Sequence, residues 1–273
     1  MMRRRSAVVL VSLVLLLVVA LALPPVRAAA SDFLGIFRVQ KFAPISVSPQ
    51  QLQLLEQIAD QGLYPGEFES IEEPGPPQPV ASLAEAQSAS GLTVLSPEAL
   101  GPADEISVSN GGRGRLTVDL QNARAILRAA GADPMLLPDS LEGAVVDVTI
   151  YPGVRQNWNN GVNLFQSQSP LVDYPEDVDP TQLGEALLQV LGLSEGEARH
   201  LASRIDWNST LVLPVPQDVA TFSEATVRGN SGLALTSVSG GESSLIWQDG
   251  GNIFLLVGKM SIDELQQIAE SVH

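Results

Sequence analysis

The sequence predicts an α+β fold: a mainly antiparallel sheet with helices packed on one side, preceded by an N-terminal apolar helix. Three observations carry that expectation. Strand-like and helix-like stretches follow one another without a regular βαβ rhythm. Short turns of hairpin type join several of the strand pairs. The stretch from Ser243 to His273 reads as strand, tight turn, strand and capped helix. In it, Leu245 and Trp247 fall on one face of the first strand and Ser244 and Gln248 on the other. Asp249-Gly250-Gly251-Asn252 supplies residues that tolerate positive φ. The return strand Ile253-Phe254-Leu255-Leu256-Val257 is apolar on both faces, which predicts that both are covered. Ser261 and Glu264 form a capping box, with Met260 and Leu265 placed as its hydrophobic staple. Ile262, Leu265, Ile268, Ala269 and Val272 make one apolar stripe at helical spacing.

The chain begins with a short basic segment, Met1 to Arg5, and an uncharged run from Ser6 to Leu23. As a helix that run would span about 27 Å, close to the hydrocarbon core of a bilayer. The basic flank predicts a cytoplasmic N-terminus and an extracytoplasmic body. Two fates are open for residues 1–30. Pro24-Pro25 and the small residues Ala28-Ala29-Ala30 suit a signal peptide cleaved near Ala30, before Ser31. The length of the run suits a signal-anchor helix that stays in the cytoplasmic membrane, which would then be a partner.

Residues 31–71 read as a membrane-proximal strand and helix. Phe33 to Val47 is extended, with Pro44 suited to an edge. Ser48 caps a helix with Pro49 at its first position and Gln51 closing a box; Leu52, Leu55, Ile58 and Ala59 give it an apolar stripe and Gly62 stops it. Residues 72–79, EEPGPPQP, read as a proline-rich linker. Residues 80–273 are then the extracytoplasmic α+β domain.

Within that domain Ser82 and Glu85 start a short helix reaching Ser90. Ile106 to Ser109 and Arg115 to Val118 flank Asn110-Gly111-Gly112, which predicts a hairpin. Asp119 caps a helix over Leu120 to Ala130, ended by Gly131. Ala144 to Tyr151 is a strand with Val146, Val148 and Ile150 on one face, and Val162 to Gln168 reads as its antiparallel neighbour. Asp179-Pro180 opens a helix stopped by Gly192, and Ser194 with Glu197 opens another reaching Ile205. Thr210 to Val215 and Phe222 to Val227 are strands, and Gly232 to Val238 leads into the C-terminal unit.

Composition narrows the function. The 273 residues suffice for a tail and one medium domain, or two small ones, and with few aromatics the core must rest on Leu, Val, Ile and Ala. There is no cysteine, so neither disulfides nor a thiolate metal site can form. The net charge is −16, and residues 1–30 hold Arg3, Arg4, Arg5 and Arg27 without any acid. Taking those 4 from the 15 bases leaves 11 against 31 acids in the body, a formal −20. Such a body repels nucleic acid and anionic lipid headgroups.

No catalytic constellation emerges. Asn110-Gly111-Gly112-Arg113-Gly114-Arg115 lacks the Lys-Ser/Thr ending of a phosphate loop and reads as a turn. A Ser-His pair has only His200, on a helix surface, and His273, at a frayed end, to draw on. Two distant histidines hold no metal. Asp173, Glu176, Asp177 and Asp179 fit no calcium loop and read as a solvated segment with Asp179 as a cap. Asn208-Ser209-Thr210 matches a glycosylation sequon. Asn157-Trp158-Asn159-Asn160 puts a tryptophan in a polar loop, either as a glycan or peptide contact through Trp158, Asn157 and Asn159 or as loop packing against the sheet. No cofactor is expected.

Ser82-Leu83-Ala84-Glu85-Ala86, Leu245-Ile246-Trp247, the run from Gly258 through Leu265, and Ile268-Ala269-Glu270-Ser271 together resemble a domain of unknown function. That domain lies on the extracytoplasmic side of bacterial anti-sigma-factor-like membrane proteins and is lipoprotein-carrier-like in places. The resemblance implies an exported, non-enzymatic domain with a curved sheet and no catalytic residues. It does not extend to sigma-factor binding, for which only Met1 to Arg5 would lie in the cytoplasm. The expected function is a non-catalytic interaction, envelope-sensing or accessory role with an envelope protein as partner. The alternatives are a lipid or lipoprotein carrier with an apolar sheet cavity and a carboxylate-based hydrolase.

Overall fold

Four lengths of chain each build a strand in one sheet, turn a corner, and build a second strand in another. This arrangement is seen in a computed structural model that describes residues 39–173, 179–207 and 209–273. The expected signal or anchor run at 1–30 lies outside the described residues. Among those described, no helix is long and apolar enough to cross a membrane.

In chain order the strands are β1 Lys41–Val47, β2 Gly66–Glu72, β3 Gln78–Val80, β4 Glu105–Ser109, β5 Gly112–Val118, β6 Val145–Ile150 and β7 Gly153–Asn157. They continue as β8 Asn163–Gln168, β9 Leu171–Asp173, β10 Thr210–Pro216, β11 Ala220–Val227, β12 Asn230–Ser237, β13 Ser243–Asp249 and β14 Asn252–Gly258. The helices are α1 Pro49–Asp60, α2 Leu83–Ser90, α3 Leu120–Ala129, α4 Pro180–Val190, α5 Glu195–Ala202 and α6 Ile262–Glu270. The fold is α+β and mostly antiparallel. An eight-stranded sheet has the order β11-β12-β13-β14-β8-β7-β4-β3 and a four-stranded sheet the order β2-β5-β6-β9. β1 and β10 form a separate parallel pair.

The two larger sheets share a seam. β2 leads into β3, β4 into β5, β6 into β7 and β8 into β9, each crossing from one sheet to the other. Register aligns the corners: Ser109 pairs with Gly153 and Gly112 with Ile150, so Asn110-Gly111 lies opposite Tyr151-Pro152. The corner segments carry glycine or proline, residues suited to a sharp change of direction. A Cβ on Gly111 would collide with the Ile150 carbonyl, and one on Gly112 with the Pro74 ring. Asn110-Gly111-Gly112 is a sheet-to-sheet corner and not a hairpin, because β4 and β5 never pair. The neighbours of β6 are β5 and β9, while β8 lies between β7 and β14. Pro152 has no N–H to continue the β6 ladder, and the chain leaves for the second sheet there. Ile150, next to the corner, is consequently 54% exposed and not part of the buried face of Val146 and Val148.

The segment before residue 72 is no separate piece. Val39, Ile45, Val47, Leu55 and Ile58 belong to the largest apolar cluster, with the helices α3 and α4, Val146 and Val148 of β6, and Trp207. β1 pairs with β10, and β2 with β5. The expected linker at 72–79 therefore runs from the last residue of β2 into β3, joining two sheets. The apolar stripe of α1 needed a partner surface, and this cluster supplies it. Gln51, expected to close a capping box, instead donates from Nε2 to the Val190 carbonyl at 2.6 Å, while Ser48 caps the helix as expected.

On the eight-stranded sheet the helices do share one face. Register runs one row through Val108, Val154, Gln166, Phe254, Trp247 and Gly232. The next row holds Ile106, Gln156, Leu164, Leu256, Leu245 and Ala234. α6 packs Leu265 and Ala269 over the Trp247 end, and α2 packs Ala86 over Val108 and Val154. Trp247 and Phe254 stack with ring centroids 5.0 Å apart. The turn at Gly250 and Gly251 has positive φ at both positions, as its sequence required. The capping box of Ser261 and Glu264 is formed. The return strand β14 buries Phe254 and Leu256, whereas Ile253, Leu255 and Val257 on its other face are only partly covered.

Candidate interaction surface

The polar residues singled out in the sequence are mostly spent on structure. Trp158 is 6% exposed and sits in the apolar cluster beneath α6, with its Nε1 donating to the Gly101 carbonyl at 3.1 Å. Asn159 donates from its backbone N to Asp104 Oδ2 at 2.7 Å and from Nδ2 to Oδ1 at 2.6 Å. The Asn157 carbonyl accepts from the Asp104 N–H at 2.9 Å. Trp158, Asn157 and Asn159 thus tie a turn to residues 101–104, and the indole is too enclosed to stack on a glycan.

His273 is not frayed. Its N–H and carbonyl pair with the Ser96 carbonyl and N–H, and its Nε2 lies 2.7 Å from Glu98 Oε1. His200 is exposed on α5. Asp179 caps α4 by accepting from Thr181 N, and Asp173 ends β9; Glu176 and Asp177 lie outside the described residues. Asn208 of the sequon also lies outside them, while Ser209 and Thr210 are buried. Among the described residues no group of three or more His, Cys, Asp or Glu could hold a metal ion.

Arg113 and Arg115, from the glycine-rich stretch, point away from the core because they alternate with Gly112 and Gly114 along β5. Arg115 grips Asp147 with both carboxylate oxygens, Nε to Oδ1 at 2.7 Å and Nη2 to Oδ2 at 3.0 Å. The hydrogen bonds hold the Asp147 carboxyl below the usual carboxylate range. The glycines receive rings: a Cβ on Gly114 would meet the Phe68 ring, and one on Gly153 the Phe165 ring.

Two buried glutamines were not foreseen. Gln166 accepts from Leu95 N at 2.9 Å and donates to Thr93 O at 2.8 Å, while Gln156 donates to Leu95 O at 2.7 Å. They clamp the segment after α2 across the sheet as side-chain substitutes for a strand ladder. Their signal was parity: each shares its strand face with buried Leu164 or Val154, at positions where an apolar residue is the rule.

What remains open to another molecule is the set of strand edges, and here the edges differ. Exposed edges are templates for pairing, and proteins blunt them with charge, proline, bulges or short length. β3 is three residues long and contains Pro79, and β9 is also three residues long. β2 carries Glu67, Glu69 and Glu72 with a register shift between Ser70 and Glu72. The β1–β10 pair carries Pro44, Pro214 and Pro216. β11 is neither short, bulged nor interrupted by proline, and it is less charged than β2. Its eight residues, ATFSEATV, pair with β12 in unbroken register and include one charge, Glu224.

The geometry of β11 defines which groups are free. The Val219 carbonyl accepts from Val238 N at 2.9 Å, on the β12 side, whereas the Thr226 carbonyl accepts from Gln266 Nε2 of α6 at 3.0 Å, on the outer side. The parity of the ladder then directs the N–H and C=O of Ala220, Phe222 and Glu224 outward. At the hairpin end, Glu270 of α6 accepts from the Arg228 N–H, whose φ of 51° is the only positive value at a described non-glycine residue. α6 therefore closes one end of the edge and leaves Ala220 to Glu224 open. Beside it stand exposed Val219 (57%), Phe222 (36%) and Val238 (55%).

Comparisons of the chain with family models, with curated proteins and with solved structures returned no match.

Proposed function

We propose that the chain is a non-catalytic extracytoplasmic domain, exported or held at the cytoplasmic membrane by its N-terminal run, that works by binding a protein strand along β11. The observation that carries this reading is the contrast among edges. Every other exposed strand is short, holds proline or carries several carboxylates, whereas β11 has the single charge Glu224 and combines free backbone groups with exposed Phe222, flanked by Val219 and Val238. Strand addition at such an edge takes affinity from main-chain hydrogen bonds and selectivity from alternate side chains. The role we assign to that binding is a sensing or accessory one in the envelope. The sheet face that a lipid carrier would hollow out is filled by Trp158, Leu164, Trp247, Phe254 and Leu256.

The test places a photo-crosslinking amino acid at Ser223 in cells. Adducts of the exported protein that disappear with Phe222→Lys are the expected result. Absence of any protein adduct, in a chain that added protease reaches from outside, overturns the binding reading. Protection from that protease until lysis overturns the topology.

A further inference from the structure

Resting on that strand-addition reading, we propose that the strand that pairs with β11 is the β11 of a second copy, antiparallel across a two-fold axis centred on Phe222. Antiparallel pairing of identical edges is self-complementary, which is what an isologous two-fold contact requires. The outward-facing residues restrict the register. Centring on Glu224 would set like charges opposite each other. Centring on Ser223 would place Phe222 against Glu224 and would demand the Thr226 carbonyl, which Gln266 already occupies. Centring on Thr221 would leave Glu224 beyond the paired strands. Only with Phe222 at the centre are Ala220, Phe222 and Glu224 of both copies all paired, Glu224 facing Ala220 and Phe222 facing its mate. The exposed apolar groups of this corner, Val219, Phe222 and Val238, border that pairing.

Charge sets the strength of the contact. Each copy carries a net −16, so the two bodies repel. The contact lies at the outermost strand of the eight-stranded sheet, and exposed charges farther apart than about 8 Å are largely screened at physiological salt. Association of two copies therefore strengthens as salt rises. A basic partner strand on the same edge would bind more weakly as salt rises.

The chain has no cysteine, so a single introduced thiol reports register directly. Facing residues of an antiparallel pair have Cα atoms within the range a disulfide spans. In the full-length chain under mild oxidation, Thr221→Cys and Ser223→Cys chains mixed together keep Phe222 and should form a disulfide-linked dimer at least tenfold faster than Ser223→Cys alone. Adding Phe222→Lys to both should suppress that product about tenfold. Raising salt from 50 to 500 mM should increase the rate of the mixed product. Equal rates for the mixed and the single chains, or no dimer from either, overturns the proposal. If neither forms while the Ser223 photo-adducts to another protein remain sensitive to Phe222→Lys, the second copy is ruled out as occupant and strand addition stands.

Discussion

A chain that begins at Val80 lacks β1, α1, β2 and all but the last residue of β3, and should fail to fold. The deletion removes Val39, Ile45, Val47, Leu55 and Ile58, each no more than 6% exposed, from the largest apolar cluster. Burying one such side chain contributes about 1.5–3 kcal/mol, so together they contribute roughly 8–15 kcal/mol. That figure is an upper estimate, since it takes an extended unfolded chain as reference. It still matches the whole stability of a typical domain, about 5–15 kcal/mol. The deletion also strips β10 of β1, the strand it pairs with, and leaves the Val190 carbonyl without Gln51. Trp207, 3% exposed in this cluster, is a local reporter, while Trp158 and Trp247 report on the cluster beneath α6. The expected result is a red-shifted Trp207 emission, binding of a hydrophobic dye and loss of a cooperative urea transition. A truncated chain with a cooperative transition at the full-length midpoint would refute the reasoning. Residues 39–72 would then be an accessory layer.

Three further outcomes are expected. Leu265→Ala should cost about 2–5 kcal/mol because the side chain is fully buried, and Ser261→Ala about 1 kcal/mol through the cap; Gln266→Ala should cost about 0.5–1.5 kcal/mol through the Thr226 carbonyl. Urea melts of the three variants decide it, and equal small losses would mean that α6 is not packed. Gly184→Ala should destabilise by about 1–3 kcal/mol or more, because its Cβ would fall inside the Trp207 indole; Gly196→Ala, with open space around it on α5, should be neutral or slightly stabilising in the same thermal melts. Hydrogen bonds from Ser261 and Ser194 hold the Glu264 and Glu197 carboxyls below their ordinary range. Stability from a depressed carboxyl is present above the unfolded value, near about 4.3, and is lost as pH falls through the folded one. The double variant Glu197→Gln, Glu264→Gln should therefore lose less of its urea midpoint between pH 6 and pH 3 than the parent chain, and an equal loss would contradict the assignment.

Local signals in the sequence were reliable wherever the physics is local. Ser48, Ser82, Asp119, Asp179, Ser194 and Ser261 all cap helices, and the Gly250-Gly251 turn forms, because caps and tight turns are settled by neighbours a few residues away. The stripe of α6 identified Leu265 and Ala269 correctly for the same reason. What could not be read was partnership. Asn110-Gly111-Gly112 has the composition of a hairpin, and the same flexible backbone serves a corner between sheets equally well. Gly153 to Asn157, GVRQN, carries no strand signature, yet it is β7, because Phe165 covers Gly153 and Gln156 clamps Leu95. The proline-rich stretch at 72–79 suggested separation because proline interrupts ladders, and here the interruption is the seam itself. The edge at β11 was legible in part: a strand was expected at Phe222 to Val227, but its position at the rim follows only from the order of the sheet.

The order of the sheet also separates residues kept for folding from residues kept for contact. From β11 to β14 the chain is a meander, and α6 returns over β13, β14 and the hairpin end of β11. An apolar residue beneath that helix, such as Ala225 or Val227, packs into its cluster. Phe222, an odd number of positions from both, points from the opposite face of the sheet and is 36% exposed at the rim. A threonine there keeps the β-branched shape that strands favour and removes the ring. Phe222→Thr should cost no more than about 1 kcal/mol, because the ring is only partly covered by its own sheet, while suppressing about tenfold the mixed disulfide between Thr221→Cys and Ser223→Cys chains. A loss above about 1.5 kcal/mol would show that Phe222 is bound to its own sheet, and that its exposure marks the limit of the core and not a surface held for a partner.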